Sequence, residues 1–186
     1  MKFLYRPIRW FILGAAGFAG TASATECISA LPSELQEHIS EVMPGFSSPS
    51  SIRLDPASVK ADLNDHGSGC YVVAKGHFDN RRDESYAFLV ATPDGRPQLL
   101  VGLIRRHKWT VEKLPTFCDD ITYCYVKTAG PGSYTRSAAL DAPPTGKTER
   151  EKIIATHDVI ISGRLESTGV TYAKGPGGWA YVWTSD

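Results

Sequence analysis

"SYAFLVATPDGRPQLLVGLIRRHKWTVEKL", residues 85–114, decides the fold. It holds three short runs rich in aliphatic and aromatic residues, "SYAFLVAT", "QLLVGLIRR" and "KWTVEKL", divided by residues that reverse a strand. Pro93-Asp94-Gly95-Arg96 contains Asp-Gly, a hairpin signal, and Arg105-Arg106-His107-Lys108 reads as a polar turn. In the first run Tyr86, Phe88 and Val90 share one face, and Ala87, Leu89 and Ala91 the other. Both faces are apolar, which predicts a central strand covered on both sides. Trp109 and Val111 alternate with polar residues, as in an outer strand. The preceding "CYVVAKGHF" adds a fourth strand, so residues 70–114 read as an up-down antiparallel meander.

Strand patterning returns near the C-terminus in "DVIISGRLE", "TGVTYAKG" and "GWAYVWTS", weighted by Ile160, Tyr172, Tyr181 and Trp183. These runs predict a second meander over about residues 157–185. Between the two sets, about residues 127–152 are polar and rich in Gly, Pro and Thr. So long a stretch without strong periodicity is either a functional loop or a hairpin arm. Upstream, "LPSELQEHISEVMPGF" predicts one helix over about residues 32–43: Pro32 suits a first turn, Leu35, Ile39 and Val42 or Met43 form a stripe, and Pro44-Gly45 ends it. "SSPSSIRLDPASV", residues 47–59, reads as a polar connector. The fold class is mainly β with a minor helical part. Antiparallel meanders resembling one or two propeller-like blades carry one N-terminal helix.

Residues 1–24 have the form of a secretory signal peptide. Lys2, Arg6 and Arg9 precede the apolar "WFILGAAGFAG", and Ala22-Ser23-Ala24 is a small-x-small cleavage site. The apolar run is shorter than the ~20 residues a spanning helix needs. Residues 25–186 then form a single β-rich domain beginning at Thr25. Its 17 basic residues against 20 acidic ones leave a net charge of −3, which argues against nucleic acid or an anionic membrane as partner. All four cysteines follow the leader and read as two disulfides of an oxidising compartment, periplasmic or secreted. Three pairings are possible. The short "CDDITYC" favours Cys118–Cys124, leaving Cys27–Cys70 to tie the N-terminal segment to the first strand.

The loop "GHFDNRRDESYAFLV", residues 76–90, resembles the FG-GAP or VCBS type of repeat. That repeat's G-D-F-[DN]-G-[DN]-G-x-x-D-Y-A pattern links two strands of a propeller blade and binds calcium. The resemblance covers about residues 70–114 and implies a blade-like meander. Its ligand positions fall on His77, Asp79, Arg81 and Ser85, of which only Asp79 keeps a carboxylate. Calcium takes six to eight oxygen ligands, and Arg81 would place a fixed positive charge among them, so no cofactor is expected, calcium included. Two readings of the loop stay open. Arg81 or Arg82 ties Asp79, Asp83 or Glu84 together, or these side chains point to water. "DLNDHGSGC" starts like an EF-hand loop, but its twelfth position is Val73 rather than Glu, and it reads as a turn.

Catalytic motifs are weak. Gly146-Lys147-Thr148 lacks the upstream glycine of a phosphate loop, since that position is Asp141. "HGSGC" is not a nucleophile elbow, and His38, His66, His77, His107 and His157 show no metalloprotease spacing. The expectation is therefore an exported, non-enzymatic binding or scaffold module with a degenerate calcium loop, acting through protein contacts. The alternative is a periplasmic immunity protein that inhibits a cell-wall-hydrolase toxin. Tyr134 and Arg136, residue types enriched at interface hot spots, are the candidate contact residues on the arm.

Overall fold

Two four-stranded antiparallel sheets and a two-stranded ribbon carry the chain in a computed structural model. The structure describes residues 27, 31–45, 54–64, 67–79, 82–140, 142–167 and 169–184. The expected signal peptide lies outside the described residues. Sheet 1 is the meander β1 (Val73–Gly76), β2 (Ser85–Ala91), β3 (Pro97–Arg105) and β4 (Lys108–Leu114), paired in sequence order. Sheet 2 has the order β10-β9-β8-β5, from β5 (Cys124–Ala129), β8 (Val159–Arg164), β9 (Gly169–Gly175) and β10 (Gly178–Thr184). Among the described residues, β6 (Gly132–Thr135) and β7 (Lys152–Ala155) pair only with each other.

The alternation read in β2 positions the layers. Its outward set, Tyr86, Phe88 and Val90, packs with Leu100 under Leu31, Leu35 and Ile39 of helix α1 (Ser33–Val42) and the residues before it. Its inward set, Ala87 and Leu89, joins Leu99, Val101 and Leu103 against Tyr125, Ile160, Val170 and Tyr172 of sheet 2. Burial of each such large side chain contributes about 1.5–3 kcal/mol. Gly102 lies directly beneath α1: a Cβ there would stand 2.7 Å from Leu35 Cδ2. The missing side chain lets the helix settle on the sheet.

The two sheets meet at a corner. Leu89 N–H donates to the Val72 carbonyl (2.9 Å) and Val126 N–H to the Tyr71 carbonyl (2.7 Å), so residues 71 and 72 are shared between β2 and β5. Sulfur bridges sit on either side of this corner, Cys27–Cys70 and Cys118–Cys124. The Tyr71 hydroxyl donates to the Thr122 carbonyl (3.0 Å) and accepts from Asp55 N–H (2.8 Å), fastening the start of a second helix.

That helix, α2 (Pro56–Asn64), corrects the expectation of a single helix. Asp55 caps it, with Oδ2 accepting from Ser58 N–H (2.8 Å) and Ser58 Oγ (2.7 Å), and Pro56 takes the first turn. Its stripe is short, with Val59 its buried side chain, so hydrophobic periodicity did not reveal it. A second correction concerns β5. Residues 124–129, partly assigned to the polar arm, are an edge strand of sheet 2.

Turn chemistry explains most of the hairpins, with one exception. Arg106 and His107 join β3 to β4 at φ 52° and 63°, the left-handed region that side chains other than Gly and Asn disfavour. The double variant Arg106→Asn, His107→Gly should raise stability by about 1 kcal/mol, read as a higher urea midpoint with unchanged slope. Gly102→Ala should instead lower it by about 1–3 kcal/mol, because Leu35 must leave its site.

Candidate functional site

Sheet 2 is apolar on its second face too, and that dictates the site. Val159, Ala173 and Val182 point away from sheet 1 and are covered by Ile153 and Tyr134 of the β6–β7 ribbon. The arm is thus a third layer. Its return segment also seals the edge of sheet 2. Tyr181 N–H donates to the Thr148 carbonyl (2.9 Å) and Arg150 N–H to the Tyr181 carbonyl (2.8 Å), a short parallel bridge alongside β10. Ser137 N–H reaches the Trp183 carbonyl (2.9 Å) from the other limb of the arm.

One ion pair holds the limbs together. Arg136 Nη1 donates to Glu149 Oε1, with the two side chains only 9% and 5% exposed. Glu149 Oε2 accepts from Thr145 N–H (2.8 Å) and Thr145 Oγ1 (2.9 Å), and Arg136 Nη2 donates to the Ala142 carbonyl (2.6 Å). The Thr145 backbone hydrogen bond, helped by Arg136, holds the Glu149 carboxyl below the usual range against the opposing effect of burial.

Between this arm and the β9–β10 hairpin lies a groove of about 870 Å³. Five consecutive residues, Ile153–His157, form one wall, so the groove follows the strand rather than one of its faces. Lys174, the turn at Gly175–Gly178, Trp179 and Ala180 form the other, with Lys147 and Arg150 at the rim. That second wall is fastened to sheet 1 by Glu112 of β4. Its Oε2 accepts from Trp179 Nε1 (2.6 Å) and from Lys174 Nζ, while Arg105 Nη2 reaches Oε1 (2.8 Å). Burial pushes the Glu112 carboxyl up, but the hydrogen bonds from Lys174 and Trp179 outweigh it and keep the group below its ordinary value. His157 brings to the groove a buried Nδ1 that has no hydrogen-bond partner among the described residues.

The residues singled out in the sequence fall in different places. Tyr134 and Arg136, expected as contact residues, are turned inward: Tyr134 packs on the outer core of sheet 2, and Arg136 is engaged with Glu149. Three of the four ligand positions of the calcium-loop resemblance are among the described residues. His77 Nδ1 lies 3.1 Å from the Asp83 carbonyl, Ser85 is fully buried at the start of β2, and Asp79 lines the groove. Arg81 lies outside the described residues, and Arg82 and Asp83 are on the surface. Among the described residues, no three His, Cys, Asp or Glu side chains are grouped to hold a metal ion. Glu112, Lys174 and Trp179 escaped the sequence reading because 62 to 67 residues separate the carboxylate from its donors.

No family model matches this chain, and no curated protein or solved structure matches it either.

Breaking the Arg136–Glu149 pair leaves a buried charge unpaired, so Arg136→Ala should cost about 3–5 kcal/mol in urea unfolding. Because the folded Glu149 pKa lies below the unfolded value of about 4.3, its contribution is complete above that pH. It disappears as pH falls through the folded value. A pH series of melting curves should therefore drop less steeply below pH ~4 for Glu149→Gln than for wild type.

Proposed function

We propose that the chain is an exported binding module that holds a segment of a partner protein in the groove between the arm and the β9–β10 hairpin. The observation that carries this reading is that both walls are fixed independently of any ligand, one by Arg136–Glu149 and the other by Glu112 with Lys174 and Trp179. A groove formed in advance avoids much of the ordering cost of binding. Disulfides fit a protein matured outside a reducing compartment, and among the described residues no helix is long and apolar enough to cross a membrane. On this reading the first meander is the blade-like scaffold of an FG-GAP-type repeat, and binding has passed from an ion loop to the far side of sheet 2.

Lys147 and Arg150 are exposed at the groove rim, so reversing their charge leaves the core untouched. Cross-linking the signal-free chain in an extract of exported proteins should capture a discrete partner. The Lys147→Glu, Arg150→Glu double variant, melting as wild type does, should lose it. Equal capture by both chains would overturn the assignment of the groove.

A further inference from the structure

We infer that the groove takes its partner by strand addition: an extended, acidic segment of another protein pairs with the outer edge of β7. This rests on the binding reading above and specifies how the groove works.

The β6–β7 register shows which backbone groups face the groove. Arg136 N–H donates to the Glu151 carbonyl (2.8 Å), so that pair is of the hydrogen-bonded type. Such pairs alternate along an antiparallel ladder, which makes Tyr134/Ile153 and Gly132/Ala155 hydrogen-bonded as well. Lys152 and Ile154 therefore direct their N–H and carbonyl groups away from β6. Among the described residues, no backbone hydrogen bond beyond the ladder reaches either of them. A strand edge in this state is a template for another strand.

The surroundings select the occupant. The Ile154 side chain is 76% exposed, an unusual cost for a large aliphatic group on a short edge strand, and offers an apolar contact beside the open backbone. Lys147 and Arg150 line the groove against a single carboxylate, Asp79, while the charge of Lys174 is taken up by Glu112. This positive excess lies on a chain that, from Thr25 on, carries 17 basic and 20 acidic residues. The charge of Lys152 on the edge itself opposes pairing with a second copy, whose edge carries the same lysine. An incoming strand with Asp or Glu side chains meets no such repulsion and gains ion pairs with Lys147 and Arg150.

The test uses peptides of about ten residues alternating Glu and Val, long enough to span β7, measured by titration calorimetry on the signal-free chain. The matched Lys-Val peptide and two N-methylated Glu-Val peptides, one for each alternating set of amides, serve as comparisons. The acidic peptide should bind, and the lysine peptide should bind at least tenfold more weakly. At least one N-methyl register should fail, because strand addition needs the amides facing β7. Ile154→Pro should weaken binding by tenfold or more: it removes an outward N–H while sparing the β6–β7 ladder, where proline is tolerated on an edge. Lys147→Glu with Arg150→Glu should do the same with the fold untouched. Absence of acidic-peptide binding, or equal binding by both N-methyl registers, would overturn strand addition. If the charge-reversed variant still lost its cross-linked partner in that case, the groove would remain a binding site of another kind.

Discussion

Sheet 2 has two apolar faces, and a sheet of that kind must be covered twice. Tyr125, Ile160 and Tyr172 need sheet 1, while Val159, Ala173 and Val182 need a third layer. The chain supplies that layer from the segment between β5 and β8, a polar stretch rich in Gly, Pro and Thr. Its apolar contribution is small, with Ile153 the buried aliphatic of β7, so hydrophobic burial alone would hold it weakly. The arm is instead held by polar contacts of high local precision: Arg136 to Glu149, Thr145 on the same carboxylate, and backbone bonds from residues 137, 148 and 150 to β10. A ribbon docked in this way has an outer edge that no backbone group among the described residues pairs with, and the groove follows from that geometry.

Two carboxylates divide the work of stiffening. Glu149 fixes the arm from within, and Glu112 spans the open end of the sandwich to hold the β9–β10 hairpin against β4. Both gather several donors, which is how a partly buried carboxylate repays its desolvation. At the opposite end the corner at residues 71 and 72 is hydrogen-bonded and flanked by the two sulfur bridges. The sheets are thus tied at one end through backbone and sulfur, and at the other through side-chain charge. Phe117, next to Cys118, adds a tilted aromatic contact to β10, with ring centroids 4.7 Å from Trp183 and 5.2 Å from Tyr181.

The sequence made β2 legible because its two alternating sets are both apolar, a pattern that only a doubly covered strand explains. The meander around it followed from turn chemistry, α1 from its stripe, and the cysteine pairing from loop length. What stayed hidden had no local signature. α2 is announced by Asp55-Pro56 but has a single buried apolar residue, Val59. β5 runs straight into Gly130-Pro131, which made a strand look like the start of a loop. β6 and β7 are four residues each, too short for alternation to register. Tyr134 and Arg136 were singled out as residue types suited to an interface, yet each is suited equally to an internal one: a phenol or guanidinium buries area and hydrogen-bonds at once. The groove depends on tertiary placement of the arm, which no spacing in the chain reports.

Amide hydrogen exchange of the arm tests this account most directly. If the arm is a docked third layer, the amides of Tyr134 and Ile153 should be protected nearly as well as Val182 in β10, because opening them requires undocking the ribbon. Exchange of Tyr134 and Ile153 at unprotected rates beside a protected Val182 would mean that the arm is not part of the folded core. The groove and the strand edge would then have no basis.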